Sequence, residues 1–119
     1  MIDGILALAV AFVIDGDTFI AHDAAGHEHR IRLWGLDAPE LDERGGPQAR
    51  ALLDRLIDNS NGRVTCYVID EDRYGRTVAR CDDDMPIDLA CMMIQSGAAS
   101  EWFYFSNGYY RKRGCIHED

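Results

Sequence analysis

A chain of 119 residues and 13.4 kDa is one domain's worth of protein, since domains commonly run to about 100–150 residues. An apolar fraction of 47% with a mean hydropathy of −0.23 excludes a disordered chain, and no apolar run reaches the ~18 residues of a transmembrane helix. Twelve Lys and Arg against twenty-one Asp and Glu, a net charge of −9, exclude a general nucleic-acid coat protein, which needs a basic face to release counterions from phosphates. A local basic pocket stays open, and eleven of the twelve basic residues are Arg, whose planar forks suit phosphate or carboxylate.

Residues 5–14 are apolar but do not read as a signal-peptide core. Asp3 stands where a positive flank would be, and no small-residue cleavage pattern follows. Leu6, Leu8, Val10 and Phe12 alternate with Ala7, Ala9 and Ala11, which predicts a first strand with its large residues on one side. The Asp15-Gly16-Asp17 turn leads to a second strand over residues 18–22, and Ala24-Ala25-Gly26 to a third over 29–36, stopped before Pro39. After Gly45-Gly46, Pro47 opens a helix with Leu52, Leu53, Leu56 and Ile57 as its apolar stripe, ended by Asn61-Gly62. Residues 64–69 and 77–81 are short strands around a charged loop. A second helix follows Pro86, with Asp88 near its start, Leu89, Met92 and Met93 on its buried face, and Gly97 as its stop. Five strands with one helix after the third and another after the fifth predict an α+β, β-rich fold: a five-stranded OB-type barrel. Nothing repeats and no linker interrupts residues 1–119, which read as a single domain.

Three stretches concentrate the chemistry: Ile14-Asp15-Gly16-Asp17-Thr18, then Arg32-Leu33-Trp34-Gly35-Leu36-Asp37-Ala38-Pro39-Glu40, then Asp72-Arg73-Tyr74-Gly75-Arg76-Thr77. Asp17 and Asp37 fall at the ends of neighbouring strands, where a barrel rim can bring two carboxylates together. Such a pair repels itself unless a cation lies between, and oxygen-only ligation selects a hard ion such as calcium. Arg32 and Arg76 beside it make a pocket for a phosphodiester, and Glu40 is free to orient or deprotonate a water. Taken singly, each feature is ordinary: a turn, a surface Arg, a hairpin connection. Their joint occurrence in this order is specific.

On these stretches, and on Gly46-Pro47-Gln48-Ala49 at the first helix, residues 12–110 resemble the staphylococcal nuclease (thermonuclease) family. The resemblance implies Asp17 and Asp37 as calcium ligands with the Ala38 carbonyl as a third, although the family prototype has Thr at that position. It implies Glu40 as general base, and Arg32 and Arg76 as the catalytic pair that stabilises the transition state. Arg73 and Tyr74 then hold a terminal phosphate. The reaction implied is calcium-dependent hydrolysis of DNA or RNA to 3′-phosphate products. Two departures stand out: Gly114 falls where the family runs a third helix, predicting that helix short or absent, and the chain is acidic where the prototype is basic.

Cys66 and Cys81 flank the charged loop symmetrically; a cross-strand disulfide and two buried thiols both satisfy the spacing, and some exported members of the resembled family carry a similar pair. Cys91 reads as core and Cys115 as an unpaired tail residue. His22, His27 and His29 read as solvated, Asp82-Asp83-Asp84 as a charged turn, and the run from Trp102 to Phe105 as core packing at alternate rings. The leading reading is a calcium-dependent endo- or exonuclease acting on nucleic acid, with single-stranded DNA or RNA favoured, no membrane association and no obligate protein partner. Two other classes compete with it: an OB-fold module that binds nucleotides or single strands without catalysis, and a structural calcium-binding domain that leaves both arginines unexplained. An extracytoplasmic location follows from the resemblance and the cysteine pair.

Overall fold

The structure, a computed structural model, describes residues 4–118; Asp3, read above as an acidic flank, lies outside the described residues. Five strands close a barrel: β1 (Ile5–Asp15), β2 (Thr18–His22), β3 (Glu28–Leu33), β5 (Arg63–Glu71) and β6 (Thr77–Asp82), in the order β1-β2-β3-β6-β5. The β3–β6 contact is parallel and the others are antiparallel. β1 serves two neighbours: Ile5 to Ala9 pair with β5, and Ala9 to Asp15 pair with β2. Irregularities between Val10 and Phe12 and between Val13 and Asp15 bend the strand so that it can do both. They also break the predicted alternation. Leu8 and Val13 face the core, while Phe12 is 53% exposed, with the Arg50 guanidinium 5.2 Å from its ring centroid.

The third predicted strand is two. Trp34-Gly35 turns the chain out of the barrel, and β4 (Leu36–Asp37) pairs instead with β7 (Ser100–Glu101). The helices form where predicted. α1 (Gly46–Asp58) carries Pro47 in its first turn and buries Ala49, Leu53 and Ile57, with Leu52 and Leu56 partly covered. In α2 (Leu89–Gln95) the Asp88 carboxylate accepts the Cys91 amide at 3.1 Å, which satisfies one free N–H of the first turn. Its core face is Leu89, Ala90, Met93 and Ile94, with Met92 only partly buried.

Beyond β7 the chain makes one turn of helix, α3 (Phe103–Ser106), and a 3₁₀ turn at Arg111–Arg113 that ends before Gly114. The third helix is therefore short, as predicted. Two devices order this segment without a long helix. The Glu101 carboxylate accepts the Ser106 hydroxyl at 2.6 Å and the amides of Tyr110 and Arg111 at 2.9 Å each. A disulfide joins Cys91 to Cys115, which corrects the reading of Cys115 as unpaired. A second disulfide joins Cys66 to Cys81, register partners across β5 and β6 and both fully buried. Of the two states the spacing allowed, the bonded one is present.

The aromatic run departs most from expectation. Trp102, Phe103, Tyr104 and Phe105 are 42%, 53%, 84% and 51% exposed. Alternate burial requires an extended strand, whereas α3 winds these rings around a single helical turn at the surface. The acidic run is a turn as predicted: Asp83 accepts the amides of Met85 and Ile87, and Asp84 accepts the Ser60 hydroxyl.

Candidate active site

Asp15 and Thr18 pair across the β1–β2 hairpin, leaving Gly16 and Asp17 as its two-residue loop. Gly16 lies against the side of α1. A Cβ there would fall 2.7 Å from the Ala49 Cβ and 2.8 Å from the Ala38 Cβ, so the loop docks only because all three residues are small. That contact explains why the Asp-Gly-Asp and Gly-Pro-Gln-Ala stretches occur together: they are two sides of one packing joint. It also sinks the Asp17 carboxylate, which is 9% exposed as a side chain.

Asp17 is held on every side. Its Oδ1 accepts the Thr18 hydroxyl at 2.9 Å, its Oδ2 accepts the Ala38 amide at 3.1 Å, and the same Oδ2 lies 3.3 Å from the Arg32 guanidinium. Burial pushes the carboxyl up to about 6; the Arg32 charge pulls it back, and the neighbouring Asp15 adds to the rise. The Ala38 contact brings the Asp17 carboxylate against the peptide that follows Asp37. Asp37, at the end of β4, is exposed, and so is Glu40 beyond the Pro39 turn. The Glu40 amide donates to the Glu43 carboxylate at 2.7 Å, and the Glu43 amide donates back to the Glu40 carbonyl at 2.9 Å, fixing the backbone from which the Glu40 side chain leaves.

The arginines converge on one cavity of about 360 Å³, lined by Arg32, Trp34, Arg73, Tyr74, Arg76 and Trp102 among others. One Arg32 terminal nitrogen is committed to the carbonyls of Leu33 and Leu36, at 3.0 and 2.8 Å, and the guanidinium carbon lies 5.8 Å from the Trp102 ring centroid. Arg76 donates through Nε to Asp72 at 2.7 Å, an arrangement that fixes the fork and leaves its terminal nitrogens for a ligand. Burial would raise Asp72, but the Arg76 amide and guanidinium and the Tyr74 amide outweigh it and hold that carboxyl below the ordinary range. Arg73 donates to the Tyr74 hydroxyl at 2.9 Å on the exposed loop tip.

The eight predicted site residues thus lie in two adjoining groups. Asp17, Asp37, Ala38 and Glu40 occupy the hairpin and the β4 loop; Arg73, Tyr74 and Arg76 line the cavity, and Arg32 belongs to both. The cavity wall also contains Trp102 and Phe105, which the sequence reading left out. The signal was present in four consecutive aromatic residues, a density a core strand does not need.

Calcium is tested by the donors. Around Asp17 and Asp37 they are all oxygen, and a buried carboxylate raised to about 6 despite a guanidinium 3.3 Å away lacks full charge compensation. A hard cation fits that environment. The fit is to a sparse site, because no group of three or more His, Cys, Asp or Glu able to hold an ion occurs among the described residues.

The barrel and this rim define a class: an OB-type domain whose edge collects two acidic loops and a guanidinium-lined cavity. Residues 30–117 match the staphylococcal nuclease homologue family, and the chain belongs to that family. It is 33% identical over 108 residues to the thermonuclease of Staphylococcus intermedius, covering 83% of this chain and 61% of that protein. It is 38% identical over 79 residues to a probable staphylococcal-like nuclease of Oryza sativa subsp. japonica, covering 65% and 22%. To an uncharacterized endonuclease of Escherichia coli O157:H7 it is 32% identical over 95 residues, covering 80% and 59%. The chain thus spans about three-fifths or less of each of these relatives.

Proposed function

We propose that residues 1–119 form a single nuclease domain that hydrolyses phosphodiester bonds of single-stranded DNA or RNA with calcium, leaving 3′-phosphates. The observation that carries this reading is the convergence of Arg32 on both groups: it is ion-paired with Asp17 and lines the cavity shared with Arg76. Chemistry at the acidic loops and phosphate recognition in the cavity then act on one bond.

Asp17, Asp37 and the Ala38 carbonyl would hold the ion, which supplies Lewis-acid charge compensation at the phosphate when bound. Arg32 and Arg76 bind the non-bridging oxygens and stabilise the charge that grows on them as the transition state forms. Glu40 accepts a proton from the attacking water. The new bond forms between that water's oxygen and phosphorus, the bond from phosphorus to the 5′ oxygen breaks, and the departing oxygen takes a proton from solvent. Arg73 and Tyr74 hold the neighbouring phosphate. The exposed Trp102 and Phe105 rings give bases of an unpaired strand a surface to stack on, and this favours single strands over duplex. Two disulfides in so short a chain support an extracytoplasmic location, and no helix of the described residues is long and apolar enough to cross a membrane.

The test is release of acid-soluble nucleotides from heat-denatured DNA, with calcium and with chelator, for the wild type and for Asp37→Asn. Asp37 is exposed, so its variant separates chemistry from core packing. Activity should require calcium and fall by at least about 10²-fold in the variant. No release in either condition refutes the nuclease reading and leaves a binding module; equal release with chelator present refutes the calcium dependence, and an undiminished variant removes Asp37 from the site.

A further inference from the structure

The cations of this acidic chain extend past the cavity. Ala79 and Cys81 of β6 face the core, so Arg76, Val78 and Arg80 stand at alternate positions on the outer face. At about 3.3 Å per residue, Arg76 and Arg80 are roughly 13 Å apart along the strand. Trp34 spans the interval. It lines the cavity, its amide bonds to the Ala79 carbonyl at 2.9 Å, and its ring meets the Tyr109 ring edge-on with centroids 5.4 Å apart.

Tyr109 gathers two further guanidinium groups. Arg80 donates to its hydroxyl at 2.9 Å, and the Arg113 guanidinium carbon is 3.5 Å from its ring centroid. Arg80 also lies 5.7 Å from the ring of Tyr67, its register partner on β5. Arg111 and Lys112 adjoin them and are exposed. Among the described residues, none of these four cations is within ion-pair distance of a carboxylate; Asp82 and Asp88 are the acids whose fields Arg80 feels. Glu101 takes main-chain amides of this segment, which orders the backbone and leaves the side-chain charges available.

We propose that Arg80, Tyr109 and Arg113 form a second binding station for the same nucleic-acid strand, continuous with the cavity across Trp34. The inference rests on the nuclease reading above, since the strand it holds is the substrate. Two guanidinium groups held by one tyrosine, Arg113 over its ring and Arg80 at its hydroxyl, offer a backbone phosphate two forks, the sequence-tolerant contact by which a single strand is tracked. A separation of roughly 13 Å corresponds to about four nucleotides of a stacked strand at 3.4 Å each, and fewer of an extended one.

The station changes a measurable quantity. With Arg32, Arg73 and Arg76 alone, a single strand should show a log-affinity slope against log salt of about −2; adding Arg80 and Arg113 makes it about −3.5, at −0.7 per neutralised phosphate. Between 50 and 200 mM salt, affinity then falls about 130-fold rather than about 16-fold. Binding is measured in calcium with phosphorothioate-linked thymidine ligands that resist hydrolysis: a dinucleotide with both terminal phosphates, and a dodecamer. The wild type should show the steep slope with the dodecamer, and the R80Q/R113Q double variant the shallow one, with dinucleotide affinity unchanged. Because Arg80 contacts Tyr109, R113Q alone, an exposed change, provides a second reading at a slope of about −2.8. A wild-type dodecamer slope near −2, or variants with the wild-type slope, overturns the station while dinucleotide binding preserves the cavity. Failure of the wild type to bind either ligand overturns both.

Discussion

Two hairpin loops of the barrel are built alike and present opposite chemistry. Between β2 and β3 the chain reads Asp23-Ala24-Ala25-Gly26-His27, and between β5 and β6 it reads Asp72-Arg73-Tyr74-Gly75-Arg76. In each, the Asp carboxylate accepts the amides two and four residues on, at 2.9–3.0 Å. The Asp amide donates to the fifth residue's carbonyl, and the fourth residue, a glycine at φ +85° or +79°, donates back to the Asp carbonyl. The second carboxylate oxygen then holds a basic side chain: His29 Nε2 at 2.9 Å in one loop, Arg76 Nε at 2.7 Å in the other. The Asp and Gly of the Asp72 stretch therefore specify a turn, and they do so equally well in the Asp23 loop, beside a cavity whose wall carries Asp23, Asp83 and Asp84 and a single arginine, Arg63. What distinguishes the second loop is Arg73, Tyr74 and Arg76.

The strongest way to break that distinction is to give one loop the other's side chain. Arg76→His copies His27 into the equivalent position, and the turn should persist because Asp72 still accepts both amides. Hydrolysis should fall by roughly 10²–10³-fold, the loss typical of a removed transition-state donor, while the melting temperature moves by no more than about 5 °C, as for a lost surface ion pair. Arg76→Lys should also be damaging, since a point charge does not replace the fork. Retained turnover in both variants would show that the two loops do not differ in the way proposed.

The loops differ also in how they are clamped. The strands around Asp72 are bridged by Cys66–Cys81, closing a loop of 15 residues; no disulfide closes the Asp23 hairpin. Replacing both cysteines with Ala should cost about 3 kcal/mol in the chain-entropy account of cross-links. Denaturant titration measures it. An unchanged midpoint would mean that β5–β6 pairing alone holds the Arg73-Tyr74-Arg76 loop in place.

This pair of loops shows where sequence reading succeeds and where it stops. Local rules located both turns, the strands that flank them and the start of α1, because Asp, Gly and Pro act within a few residues of themselves. The Asp17–Arg32 pair was legible as a grouping, but not as an ion pair that takes up part of Arg32, because that depends on Gly16 meeting Ala38 and Ala49 from distant parts of the chain. The C-terminal segment was least legible. It has no period, and it is ordered by Glu101 and by Cys91–Cys115, both tertiary contacts. Without a period, residues 102–105 read as a strand that buries every second ring, whereas all four rings are exposed and two of them line the cavity.

A gentler exchange sharpens the comparison on the binding side. Arg73→Ala with Tyr74→Ala makes the loop tip read Ala-Ala, as at Ala24-Ala25. Both side chains lie at the exposed tip, and Tyr74 is 66% exposed, so stability should hold. Substrate KM should rise roughly tenfold, the worth of one charge-assisted contact of about 1.5 kcal/mol, with kcat little changed because neither group touches the breaking bond. A fall in kcat at constant KM would move these residues from binding into the chemical step.

The smallest effect separates the two loops by pH. The His29 hydrogen bond, with the His27 amide next, lowers the Asp23 carboxyl to about 2, below its ordinary 3.8. A carboxyl depressed by folding stabilises the native state above its unfolded pKa and loses that contribution as the pH falls through the folded value. Asp23→Asn should therefore lower the urea midpoint by a constant amount from pH 7 down to about 4.5, with the difference shrinking to nothing near pH 2. The plateau carries the information. If the stabilisation came from charged histidines rather than from hydrogen bonds, the difference would shrink as the pH is raised from about 5 to 8 instead of staying on its plateau. In Asp72→Asn the partner is an arginine that stays charged throughout, so no such second step can occur. Identical profiles for the two variants across pH 5–8 would place the loops on the same hydrogen-bonded footing; a step confined to the Asp23 loop would make it the one with a histidine-dependent charge.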